Sequence, residues 1–118
     1  MAVPVRPPTL RFQLDDSQVS AANTRRVAVS GDIDLATATT LRSTLMAALD
    51  GPPPAPAMLQ VDLAGVGFLD STGIGALVGV RNHATTKACL VQLVGLQPPV
   101  RRVLAVTGLL DGFLRPVR

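Results

Sequence analysis

Apolar and polar residues alternate through Leu10-Arg11-Phe12-Gln13-Leu14, the pattern of a half-buried strand. Asp15-Asp16-Ser17 supplies a turn behind it. A second strand is predicted from Val27 to Gly31, continuing toward Ile33. The period then changes. Leu35, Ala38, Leu41, Leu45, Ala48 and Leu49 recur in steps of three and four, which places them on one stripe of a helix. Asp34, just ahead of them, is a suitable N-cap. Gly51 and then Pro52, Pro53, Pro54 and Pro56 end this helix and predict a stiff, extended loop.

A third strand follows over Met58–Leu63, with Leu59, Val61 and Leu63 on one face. After a bend at Ala64–Gly67, a second helix is predicted from Ser71 to Thr86. Ala88–Val94 is nearly continuously apolar, as expected of a strand that is central or covered on both sides. Pro98-Pro99 open a third helix. Its inner face is Val100, Val103, Leu104 and Thr107, and Gly108 fits its stop. A short closing strand or turn is expected near Phe113-Leu114. The order β-β-α-β-α-β-α, with strands joined through single helices, predicts an α/β fold: a mixed, mostly parallel sheet of four or five strands with helices packed against it. Residues 1–8, with three prolines, are expected to be a flexible tail, and 9–116 a single domain.

Composition narrows the picture. The 118 residues are 47% hydrophobic, enough for a core, but with three Phe and neither Trp nor Tyr that core must be aliphatic. Few aromatic rings also mean few stacking platforms for single-stranded nucleic acid. The net charge of +3 is scattered, with Arg25-Arg26 and Arg101-Arg102 as the only basic doublets, so direct nucleic-acid binding is not expected. Cys89 is the single cysteine and sits in an apolar run, so it reads as a buried thiol. No apolar stretch reaches the ~18 residues of a membrane span, and there is no apolar signal core at the start. A soluble, cytoplasmic protein without membrane contact is expected.

The candidate chemistry lies in Phe68-Leu69-Asp70-Ser71-Thr72-Gly73-Ile74-Gly75, where strand gives way to helix. Ser71 can cap the helix, or it can be an exposed acceptor for a phosphate that the helix N-terminus would tolerate. At 100° per residue, Ile74, Leu77, Val78 and Ala84 share one side of this helix. Thr72, Gly75, Ala76, Gly79 and His83 lie opposite, leaving that face almost bare of large side chains. Each helical glycine costs about 0.8–1 kcal/mol relative to alanine, which favours reading the bare face as a docking surface.

Enzymatic readings fare poorly. The nucleophile elbow needs glycine two residues before the serine, where Leu69 stands. His83 is three turns away from Ser71 and reads as a surface residue. The glycine pattern after Gly73 fits no dinucleotide or phosphate loop. Asp32, Asp34, Asp62 and Asp70 are better explained as caps and strand ends than as a magnesium site. No catalysis, cofactor or metal is expected.

Three segments carry a resemblance to a known family. Val27–Asp34 with the following Thr39-Thr40-Leu41, Val61–Gly73, and Leu96–Leu104 with Thr107-Gly108-Leu109 resemble STAS domains, specifically the free-standing anti-sigma factor antagonists of bacteria. The likeness spans residues 9–115. It implies that Ser71, or with less support Thr72, is phosphorylated by an anti-sigma factor with serine kinase activity. It also implies that the unphosphorylated chain binds that kinase and frees a sigma factor, and that a serine phosphatase reverses the switch. Asp32, Asp34 and Asp70 are then neighbouring contact positions. With Ser71, Thr72 and Gly73 of the signature and Gly75, Ala76 and Gly79 of the bare face, they form the expected partner-binding set. The alternative is a STAS interaction module that is not phosphorylated and serves a scaffold, a sensor or a transport assembly. A small hydrolase using Ser71 is a distant third, because no base stands near the serine.

Overall fold

The structure is a computed structural model that describes residues 10–15, 23–51 and 55–114. The expected tail at 1–8, most of the turn after Asp15 and the Pro52–Pro54 stretch lie outside the described residues. The elements are β1 (Arg11–Asp15), β2 (Thr24–Ser30), α1 (Ala38–Leu49), β3 (Met58–Gly65), α2 (Ser71–Thr86), β4 (Leu90–Val94), α3 (Pro98–Val106) and α4 (Leu110–Leu114). They form the expected mixed sheet, with four strands in the order β1-β2-β3-β4. β1 runs antiparallel to β2, while β2–β3 and β3–β4 are parallel pairs.

Strict alternation decides what each strand buries. Val27 and Val29 of β2, Leu59, Val61 and Leu63 of β3, and Val91 and Leu93 of β4 are all buried. In register, Val27 lies beside Val61, and Val61 beside Leu93, so one face of the sheet is a continuous aliphatic floor. Leu41, Leu45 and Leu49 of α1 and Leu77, Val80 and Ala84 of α2 join the same cluster from above. The other face carries polar groups: Arg26 pairs with Asp62 at 2.8 Å, and Gln60 donates to Gln92 at 2.8 Å.

Three expectations need correction. β4 is an edge strand among the described residues, neither central nor covered on both sides. Ala88 turns with φ 54° and Cys89 is buried ahead of the strand, so only Leu90–Val94 is ladder, and it alternates like its neighbours. The stretch at Phe113-Leu114 is helical, neither a strand nor a turn. α4 sets Phe113, fully buried, under the guanidinium of Arg81 on α2, with Cζ 4.7 Å from the ring centre. Finally, α1 begins at Ala38 rather than directly behind Asp34. Asp34 instead opens a turn: its Oδ1 accepts the Ala36 N–H at 2.9 Å and its carbonyl accepts the Ala38 N–H at 2.8 Å. That turn lifts Leu35 off the apolar stripe, and it is 78% exposed.

The far ends of α1 and α2 are tied together. Asp50, the C-cap of α1, accepts from Lys87 Nζ at 2.7 Å and lies 3.0 Å from His83 Nε2. His83 lies at the surface, as expected, and is paired there with Asp50. Cys89 is a buried free thiol, as expected, and burial pushes its pKa up.

Candidate functional site

The loop before α2 is stitched to the loop after β2. Ile33 and Leu69 form a parallel bridge, the Ile33 N–H donates to the Phe68 carbonyl at 3.0 Å, and the Asp70 N–H donates to the Ile33 carbonyl at 3.2 Å. Residues 32–34 and 68–70 thus run side by side at one end of the parallel strands. Thr37 fixes the first of these loops. Its buried hydroxyl accepts the Asp34 N–H at 3.0 Å and donates to the Asp32 carbonyl at 2.8 Å. Thr37 is not among the expected site residues; its only signal in the sequence is a hydroxyl close behind Asp34, a side chain that readily bonds nearby backbone groups.

Asp70, not Ser71, caps α2. Its backbone is extended, and its Oδ1 accepts the N–H groups of Thr72 at 2.9 Å and Gly73 at 3.2 Å, two of the orphan donors of the first turn. The Thr72 hydroxyl donates to the same oxygen. These donors hold the Asp70 carboxyl below its ordinary range, the Thr72 hydroxyl foremost and the two backbone N–H groups after it. Ser71 occupies the first helical position. It is exposed, and its hydroxyl makes no hydrogen bond among the described residues.

Gly73 is buried under the cap. A Cβ there would stand 2.4 Å from both Ile33 Cγ2 and Leu69 Cδ1, so this glycine lets α2 start directly against the bridged loops. The bare face of α2 is only partly bare. Gly75 is exposed with nothing near it, whereas Ala76 is buried and turned toward α1. The Arg42 guanidinium of α1 lies across Gly79, whose Cβ would sit 3.6 Å from Cζ. Between the two helices runs a groove of about 300 Å³, walled by Leu35, Ala38, Thr39 and Arg42 on one side and Thr72, Gly75 and Ala76 on the other. Exposed Leu35 stands at this groove, and Phe68, 49% exposed, precedes the cap by two residues. A larger hollow of about 450 Å³ lies over β1, β2 and β3, lined by Arg11, Gln13, Ser30 and Asp62 among others, away from Ser71.

The structure therefore brings together Asp34, Asp70, Ser71, Thr72, Gly75 and Ala76, with exposed Asp32 alongside. It places Gly73 beneath that surface and Gly79 under Arg42. His83, twelve residues beyond Ser71, is about 18 Å along the helix, out of reach for proton transfer. Among the described residues no cluster of His, Cys, Asp and Glu could hold a metal ion, and no helix is long and apolar enough to cross a membrane.

The cap also sets an acid response. Arg26 holds the Asp62 carboxyl below its ordinary 3.8, Lys87 and then His83 do the same for Asp50, and Asp70 is held low by its cap bonds. With native pKa values below the unfolded ones, the unfolded chain binds more protons at acid pH, so stability rises with pH through that window. The contribution is complete above the unfolded value and is lost as pH falls through the native ones. Thermal melts followed by circular dichroism should show a melting temperature falling below about pH 4. Asp62→Asn should flatten that fall, and an unchanged slope in this variant would remove Asp62 from the account.

The family model described as "Mlab, STAS domain" matches residues 17–116. Among curated proteins, none matches this chain. Among solved structures, the chain is similar to an anti-sigma factor antagonist from Mycobacterium paratuberculosis, with 27% identity, TM-score 0.74, and coverage of 95% of this chain and 90% of that one. It shares its fold with the phosphorylated form of the Bacillus cell fate determinant SpoIIAA, with 22% identity, TM-score 0.62, and 92% of each chain covered. It also shares its fold with a sulfate transporter family protein from Wolinella succinogenes, with 16% identity, TM-score 0.65, and coverage of 77% and 71%.

Proposed function

The chain belongs to the STAS domain family, and on that premise we propose that it is a cytoplasmic anti-sigma factor antagonist controlled by phosphorylation of Ser71. Unphosphorylated, it binds an anti-sigma factor with serine kinase activity and so frees a sigma factor; phosphorylation ends that binding, and a serine phosphatase restores the unphosphorylated, binding form. The observation that carries this reading is the position of Ser71: exposed, its hydroxyl without a hydrogen bond among the described residues, at the first position of α2 and next in sequence to the groove residue Thr72. The similarity to the mycobacterial antagonist supports it.

The physics of the site gives the direction of the switch. A phosphate on Ser71 adds about −1.5 to −2 charges. The partial positive charge of the helix N-terminus accommodates it, so α2 stays formed. Asp70 already stands beside it, so the added charge makes the surface around Leu35, Thr72 and Gly75 strongly anionic and unseats a partner packed there. In this role the chain is a regulator, and the transfer chemistry belongs to the kinase. The contact positions proposed are Asp32, Asp34, Asp70, Ser71, Thr72, Gly75 and Ala76, with Gly73 and Gly79 shaping the surface.

Titration calorimetry against a purified kinase-type anti-sigma factor tests the reading. Ser71→Ala should bind like the unphosphorylated parent and resist release by ATP. Ser71→Asp should bind at least about tenfold more weakly, some 1.4 kcal/mol. Parent-like binding by both variants would remove the switch. A second reading, a STAS module without phosphorylation inside a transport assembly, is favoured by the fold shared with the sulfate transporter family protein. Co-purification of transporter subunits, with no phosphate on Ser71, would select it.

A further inference from the structure

Two hydroxyls stand side by side at the start of α2, and their surroundings differ. This inference rests on the reading of Ser71 as a phosphoacceptor and concerns which of the two is used. Thr72 Oγ1 donates to Asp70 Oδ1, the oxygen that also accepts the Thr72 and Gly73 N–H groups. Thr72 is half-buried, forms part of the groove wall and is β-branched, so few side-chain rotamers are open to it in a helix. Ser71 is exposed and its hydroxyl is uncommitted among the described residues.

Phosphoryl transfer requires the acceptor oxygen to stand in line with the γ-phosphorus while its proton passes to a base on the kinase. The Thr72 proton already points into Asp70, and its oxygen cannot turn outward without giving up that bond. We propose that Asp70 is a specificity-determining residue: by holding the Thr72 hydroxyl it confines phosphoryl transfer from ATP to Ser71. At Ser71 the hydroxyl proton leaves to the kinase's base and an Oγ–P bond forms. The bond from the γ-phosphorus to the β,γ-bridging oxygen breaks, and ADP departs. Asp70 takes no part in those steps and acts only through Thr72.

The test is phosphosite mapping by tandem mass spectrometry on the full chain expressed in its native cells, for the parent, Ser71→Ala, Asp70→Gly and the double variant Ser71→Ala/Asp70→Gly. Glycine is tolerated at helix N-caps, and circular dichroism checks that the fold is kept. Asp70→Ser, which retains an N-cap without the carboxylate oxygen that holds the Thr72 hydroxyl, serves if the glycine variants unfold. The expected result is phosphate on Ser71 alone in the parent, loss of phosphate in Ser71→Ala, and its reappearance on Thr72 once Asp70 is also replaced. Phosphate on Thr72 in Ser71→Ala with Asp70 intact overturns the proposal and leaves the switch standing. So does a phosphorylated parent whose folded double variant carries none. Absence of phosphate from every chain, the parent included, defeats the phosphoacceptor reading and this inference with it.

Discussion

Phe113→Ala is expected to destabilise the protein by about 3–5 kcal/mol, out of a total near 5–15 kcal/mol for a domain of this kind. The ring is fully buried, belongs to the single core cluster and has Arg81 stacked over it. Truncation leaves a cavity that a five-residue helix at the chain's end cannot collapse to fill, because α4 packs against β4 and against α3. Urea denaturation should show a lower midpoint with an unchanged slope. Arg81→Ala provides the comparison: losing the cation over the ring should cost only about 0.5–1 kcal/mol. If Phe113→Ala costs no more than Arg81→Ala, α4 is not part of the cooperative core.

The second large effect separates two glycines two residues apart in α2. On helix propensity alone, either Gly→Ala exchange gains about 0.8–1 kcal/mol. Gly75→Ala should realise that gain, since beyond the neighbouring residues and backbone of its own helix nothing lies within 4 Å of the added methyl. Gly73→Ala should instead lose about 1–3 kcal/mol through overpacking. Its methyl would meet Ile33 Cγ2 and Leu69 Cδ1 at 2.4 Å, and Ile33 Cγ2 sits on a branched carbon that cannot swing aside. Both residues are locked in the core and bridged to each other. Relief must therefore come from moving the start of α2, which carries Asp70 and Ser71 with it. Thermal melts of the two variants settle the contrast: equal shifts would show that the close approach at Gly73 is not a constraint.

The strands were legible because alternation is a local signal. Leu59, Val61 and Leu63 declare their face without reference to any partner. The proline start of α3 was equally local. Where neighbours decide, the reading slipped. Asp34 and Asp70 are both competent caps, and propensity cannot tell which residue of Asp70-Ser71 takes the role. The answer depends on the Asp70 N–H being anchored to the Ile33 carbonyl, a contact 37 positions away in sequence. Ala76 was assigned to the open face because α2 holds so many small residues that few large ones anchor its phase. α1, packed alongside, turns that position inward. α4 is too short to show a period, and its only strong residue, Phe113, suits a strand as well as a helix. The Asp70–Thr72–Ser71 arrangement lay within the motif all along, but which hydroxyl is held and which is left open emerges only from side-chain geometry.

The tie at Asp50 bears on how far a change at Ser71 can travel. It sits at the opposite end of the helix pair, about 18 Å from Ser71 along α2, roughly twice the distance over which physiological salt damps a surface charge. A doubly negative group at Ser71 therefore leaves the Asp50–Lys87 contact undisturbed. On the proposed function, a phosphate at Ser71 would act on whatever surface touches that end of the helix pair, while the tie at Asp50 keeps the other end as it is.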